Sequence, residues 1–225
     1  MTKALFVTGT DTGVGKTWVA TTLLHALRAQ GKKVVGMKPI ASGSERTVQG
    51  LRNEDALALQ AAANVQAEYE LINPYCFEPA IAPHLAAQRA GVNIELSVLM
   101  QTYQRLTERA DVVVVEGAGG WRVPVADGYF SDFPEALSMD VVLVVGLRLG
   151  CLNHAVLTAE AIQRGPCRLL GWVGNHLPEP FNEAPENLAT LRQRLSAPCL
   201  GVLPYAPGSN PQQWAHELRI PDLAQ

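Results

Sequence analysis

Short apolar runs recur at 4–8, 33–37, 111–115, 140–145, 168–173 and 199–203, each bounded by Gly, Pro or charged residues. They lack the polar alternation of a half-exposed strand, which marks strands covered on both faces, as in a parallel sheet. Between the runs, apolar residues recur at helical spacing. The segment 17–30 places Ala20, Leu23, Leu24 and Leu27 on one face, and 54–63, 94–109, 152–164 and 183–195 follow the same rule. This alternation predicts an α/β fold: a doubly wound, mostly parallel sheet flanked by helices and joined by right-handed crossovers. No internal repeat or Pro/Gly/Ser linker divides the chain, so residues 1–225 read as one domain.

Two stretches break the alternation: "PIASGSERTVQGLRN" (39–53) and "NPYCFEPAIAPHLAAQRAG" (73–91). Both are long and rich in turn formers, and both are expected to leave the carboxyl side of the sheet, where α/β proteins bind ligands. They read as functional loops. Hydrophobic residues make up 48% and charged residues 17%, a balance that suits a sheet with two covered faces and argues against disorder. The net charge of −3, with no long basic run, gives no nucleic-acid or membrane footprint and leaves small molecules or a second subunit as the expected partners. Cys76, Cys151, Cys167 and Cys199 form no C-x-x-C pair and read as buried thiols. The start "MTK" runs straight into a strand pattern, and no apolar span reaches the ~20 residues a membrane helix needs, so a cytoplasmic location is expected.

"GTDTGVGKT" (9–17) follows the first strand and opens the first helix. A strand, a glycine-rich turn and a helix beginning at Lys16-Thr17 make a phosphate cradle. Backbone N–H groups converge on phosphate oxygens, the lysine reaches the terminal phosphates and the threonine hydroxyl ligates magnesium. The spacing is a variant of G-x-x-x-x-G-K-[ST], with Thr10 at the first glycine's position and Gly9 one residue earlier. Glu116 is the polar exit of four consecutive valines, beside Gly117, Ala118, Gly119 and Gly120, where a carboxylate can reach metal or phosphate or else cap a loop. Asp55 fits either a metal ligand or an acid in a first helical turn. Lys38 ends the second strand before a proline, beside the cradle, as a charge-neutralising catalytic lysine or a surface one. His84 could orient substrate or cap the helix after it.

Partition ATPases often carry a signature lysine in "KGGVGKT"; here Asp11 stands in its place. Instead, "FVTGTDTGVGKT", "KPIASGS", "GLRNEDALALQ", "NPYCFEPAIAPH", "VVEGAGGW", "VVGLRLGCLNHA" and "GWVGN" together resemble the dethiobiotin synthetase family, in order and spacing, from the first strand to about residue 205.

The resemblance implies an ATP- and magnesium-dependent ligase of the P-loop lineage, a homodimer that joins carbon dioxide to 7,8-diaminononanoate (diaminopelargonate) and closes a cyclic urea in biotin synthesis. It implies that Lys16 and the backbone of Gly13, Val14, Gly15, Thr17 and Trp18 hold the ATP phosphates, with Gly117, Ala118 and Gly119 nearby. Thr17, Asp55 and Glu116 would bind magnesium, and Lys38 would be the catalytic lysine with Lys16. Thr12 and Ser42 would touch the diamine. Gly150, Cys151, Leu152 and Asn153, opening a helix, would hold the substrate carboxylate of the neighbouring subunit. Asn175 and His176 would meet the adenine, with Pro204, Tyr205, Ala206 and Gln212 around it. Two positions depart from the family pattern: Gly13 replaces an acid found in several relatives, and His176 an aspartate. The rival readings are a nucleotide-switched ATPase that binds a macromolecular partner, and a glutamine-dependent amidoligase, for whose glutaminase domain the sequence leaves no room.

Overall fold

The computed structural model describes residues 2–125, 127–221 and 223. Six strands form the central sheet: β1 (Lys3–Gly9), β2 (Val34–Met37), β3 (Val112–Glu116), β4 (Asp140–Leu147), β5 (Arg168–His176) and β6 (Cys199–Leu203), in the order β6-β5-β4-β1-β3-β2. Every adjacent pair is parallel. The principal helices are α1 (Lys16–Ala29), α2 (Glu54–Ala62), α3 (Pro83–Ala90), α4 (Leu96–Thr107), α5 (Cys151–Gln163) and α6 (Ala184–Arg194).

The absence of polar alternation has the expected cause. β3 is buried at every position, and both sheet faces are covered. In β1, Leu5 and Val7 pack with Leu23, Leu24 and Leu27 of α1 on one face. Phe6 turns to the other face, where Trp121 and Phe130 meet its ring edge-on at 5.9 and 5.8 Å. Strand order reverses at β1: the chain lays β2 and β3 on one side of it and β4 to β6 on the other. That reversal opens a crevice at the carboxyl ends of the strands, directly over the glycine turn.

The two long stretches are more ordered than loops. Residues Ile40–Ser42 pair in parallel with Tyr75–Phe77, and Glu45–Thr47 form a hairpin with Gly50–Arg52. Within 73–91 lies a full helix, α3, which begins with Pro83 at its first turn and ends at Gly91 in the left-handed region at φ 64°. Proline at the start and glycine past the end are ordinary helix punctuation. α4 is shorter than the 94–109 pattern because Glu95 takes the extended N-cap conformation.

Candidate active site

The glycine turn is built by its neighbours. The Thr10 N–H donates to the Val144 carbonyl at 3.0 Å, tying the turn to β4. Gly15, the residue before α1, sits at φ 88°, where L side chains are strained, and any Cβ there would collide with the Asn175 amide. The Asn175 Nδ2 in turn donates to the Val14 carbonyl at 3.0 Å, so the end of β5 braces the turn. Lys16 is buried, and its ammonium donates to the Asp11 carbonyl at 3.0 Å. Burial, with the nearby Lys38 charge, lowers its pKa to about 8.

The second lysine closes a charge cluster. The Lys38 ammonium, 5% exposed, donates to Glu116 Oε1 at 2.6 Å and to Asp55 Oδ2 at 2.9 Å. The Thr17 hydroxyl oxygen lies 2.7 Å from Asp55 Oδ1 and 2.9 Å from Glu116 Oε1. Burial opposes the charge of Lys38, but the two carboxylates outweigh it and raise its pKa. Burial likewise works against the Asp55 charge, yet Lys38 and the Thr17 hydroxyl prevail and hold it low. Glu116, more deeply buried and beside Asp55, is raised. Asp55 stands in the first turn of α2, but the cap of that helix is Asn53, whose side chain accepts the Ala56 N–H at 3.3 Å, and the Asp55 carboxylate faces the cluster.

Thr17, Asp55 and Glu116 supply one hydroxyl and two carboxylates, hard oxygen donors of the kind magnesium prefers. Glu116 Oε2 is buried and has no hydrogen-bond partner among the described residues, an acceptor suited to a cation. Among the described residues no group of three or more His, Cys, Asp and Glu side chains is gathered for a metal.

Two clefts meet at the turn. The first, a cavity of about 820 Å³, is lined by Thr12, Gly13, Gly15, Lys16, Thr17, Lys38, Ser42, Asp55, Glu116, Ala118 and Gly119, with residues 80–83 opposite. The Gly117 carbonyl lies 3.4 Å from Lys38 Nζ. The second, about 340 Å³, is lined by Trp18, Asn175, His176, Pro204, Tyr205 and Ala206, and shares Gly13 and Gly15 with the first. Asn175 Oδ1 and Trp18 Nε1 are buried and have no hydrogen-bond partner among the described residues, one an acceptor and one a donor.

Three of the anticipated residues or segments lie elsewhere. Gln212 lines a separate groove with His25 and Arg28, because the 3₁₀ turn Pro211–Glu217 folds back onto α1. Gly150–Asn153 open α5 with Gly150 at φ 91° and do not line the large cavity; Arg148, just before them, pairs with Asp11 of the glycine turn. His84 makes no cap; its Nδ1 is buried and unpartnered among the described residues. Sequence reasoning passed over Asn53, Tyr69 and Asn73, three buried polar residues behind the cluster. Asn53 and Asn73 stand in "RN" and "NPY" inside the two long stretches and Tyr69 just ahead of the second, in "EYELI", a signal legible only once those stretches are known to pair.

A family model described as an AAA domain matches residues 3–213. The ATP-dependent dethiobiotin synthetase BioD of Xanthomonas euvesicatoria pv. vesicatoria is 50% identical over 219 residues, 97% of this chain and 98% of that protein. The protein of the same name from Aromatoleum aromaticum is 46% identical over 220 residues, again 97% and 98%. Among solved structures, the septum site-determining protein MinD of Pyrococcus horikoshii, complexed with Mg-ADP, superposes with a TM-score of 0.56 at 18% identity, covering 92% of this chain and 83% of that one. That likeness concerns the fold alone. Together with the glycine turn, the two lysines and the near full-length match, these relatives show that the chain belongs to the ATP-dependent dethiobiotin synthetase family, P-loop ligases of biotin biosynthesis.

Proposed function

We propose that the chain carboxylates 7,8-diaminononanoate with carbon dioxide and closes the ureido ring of dethiobiotin at the expense of ATP, as a cytoplasmic homodimer. The observation that carries this reading is the convergence of Lys16, Lys38, Thr17, Asp55 and Glu116 on one cavity that joins a nucleobase-sized cleft at Gly13 and Gly15. The triphosphate lies along Gly13–Thr17, with the α1 N-terminus and Lys16 facing its oxygens. Asn175 meets the base, its free Oδ1 accepting from the exocyclic amine. Magnesium held by Thr17, Asp55 and Glu116 would neutralise phosphate charge.

One amine of the diamine attacks carbon dioxide and loses a proton, giving a carbamate. A carbamate oxygen then attacks the γ-phosphorus and ADP leaves. The second amine attacks the carbonyl carbon of this carbamic-phosphoric anhydride, and phosphate departs. Negative charge gathers on oxygen throughout, and Lys38 and Lys16 offer fixed ammonium groups to it, a contribution of about 3–4 kcal/mol for a single well-placed donor. Thr12 and Ser42, on the cavity wall, orient the diamine. The N–H groups opening α5 at Gly150–Asn153 receive the carboxylate of substrate bound to the partner subunit.

The test is incubation with labelled bicarbonate, diamine and ATP. A labelled cyclic urea, with ATP hydrolysis dependent on the diamine, is the expected result. Hydrolysis indifferent to the diamine and stimulated by protein, DNA or membrane would point to the partner-binding ATPase instead.

A further inference from the structure

The charge cluster draws its members from three separate pieces of chain: Lys38 after β2, Asp55 on α2 and Glu116 at the end of β3. Glu116 is fixed by the sheet. Lys38 and Asp55 lie outside it, on either side of the 39–53 stretch, and something must hold their backbones together.

A buried chain of hydrogen bonds does so. The Asn53 backbone N–H donates to the Tyr69 phenol oxygen at 2.7 Å, and the phenol O–H donates to Asn73 Oδ1 at 3.0 Å. Asn73 Nδ2 then donates to the Lys38 carbonyl at 2.6 Å. At one end, Asn53 caps the helix whose first turn carries Asp55. At the other, Lys38 is gripped twice, since its own N–H donates to the Ile72 carbonyl at 2.8 Å. Tyr69, Asn73 and Asn53 are 8%, 3% and 3% exposed, so water does not compete for these bonds. The phenol carries Arg52 over its ring at 4.1 Å, and burial pushes its pKa up to about 12, so the O–H proton stays in place.

We propose that Tyr69 and Asn73 are positioning residues for the ligase reaction: they fix the Lys38 ammonium against the Asp55 carboxylate by tying the backbone that carries one to the helix cap that carries the other. Neither touches substrate. The proposal rests on the catalytic reading of Lys38 and the metal-binding reading of Asp55.

The test uses Tyr69→Phe, which removes one oxygen and keeps the ring, with Asp55→Asn, Asn175→Ala and the two double variants. Steady-state kinetics are joined to electron paramagnetic resonance of Mn²⁺ binding in the presence of ADP. Tyr69→Phe is expected to lower kcat about tenfold with the KM for ATP nearly unchanged, and to weaken Mn²⁺ binding about tenfold, the lower end of the scale for an outer-shell contact. The Tyr69→Phe/Asp55→Asn pair should be no worse than Asp55→Asn alone, whereas Tyr69→Phe/Asn175→Ala should multiply. Asn73→Asp, which keeps the acceptor for Tyr69 and loses the donor to Lys38, should show the same kcat loss with the Mn²⁺ affinity less affected.

A Tyr69→Phe protein that melts earlier yet keeps kcat and Mn²⁺ affinity below its transition would overturn the proposal and leave a structural phenol. So would multiplicative losses with Asp55→Asn. Failure of the wild-type chain to form a cyclic urea would instead strike the ligase reading, and the Mn²⁺ measurements would still decide the positioning role.

Discussion

The two clefts that meet at Gly13 and Gly15 are built on opposite principles. The larger holds two lysines and two carboxylates, with Lys38 and Glu116 buried and paired with each other. The smaller is lined by Trp18, Tyr205 and prolines, with Asn175, His176 and the Trp18 N–H carrying its polarity. Buried charge is costly unless paired, so the larger cleft is rigid, and its residues are tied to one another by hydrogen bonds. A mostly apolar cleft needs no such network beyond the Asn175 amide that braces the glycine turn, and tolerates substitution elsewhere. Lys38 and its carboxylate partners should therefore govern turnover, and Asn175, with the Lys16 of the shared glycine turn, affinity.

The largest effect that would expose this division is at Lys38. Lys38→Gln should lower kcat about 10²–10³-fold while ATP-analogue affinity by calorimetry stays within about threefold. A matching loss of nucleotide affinity would erase the contrast. Asp55→Asn should raise the magnesium concentration for half-maximal turnover about tenfold, read from metal titrations of the steady-state rate. Unchanged metal dependence would return Asp55 to an ordinary first-turn acid.

On the other side, Asn175→Ala should cost about 1–2 kcal/mol of ATP binding and narrow the preference for ATP over ITP, which lacks the exocyclic amine, with kcat at saturation little altered. The competition is read from the two kcat/KM values. The smallest effect is one of pH. Lys16, lowered to about 8, is charged below that value in the free protein, and phosphate binding requires the charged form. ATP affinity should hold at neutral pH and weaken as pH rises through 8, by about fourfold between pH 7 and 8.5, with proton uptake on binding at the upper end. Isothermal titration in buffers of different ionisation enthalpy measures both.

The same division explains what could be read from the chain. The six sheet strands and five of the principal helices follow from apolar runs and helical spacing because their neighbours bury them on a regular period. Lys16, Thr17 and Glu116 stand at the ends of such elements, so their places were legible. Asp55 was not, because an acid in a first helical turn looks the same whether it faces solvent or a lysine. The Ile40–Ser42 and Tyr75–Phe77 ladder is three residues per strand, and its partners lie 35 positions apart, beyond any local pattern. Asn53, Tyr69 and Asn73 were invisible for that reason: their partners come together only when this ladder closes. Gln212 shows the converse: the family resemblance sets it around the adenine, but the turn that carries it packs onto α1 through Trp214.

The claim on which the rest depends is that one nucleotide spans both clefts. A crystal structure with a non-hydrolysable ATP analogue, magnesium and the diamine tests it most directly. It should show the triphosphate on Gly13–Thr17, the γ-phosphate facing Lys16 and Lys38, and the base beside Asn175. A triphosphate bound elsewhere, or Lys16 and Lys38 turned toward different ligands, would contradict it.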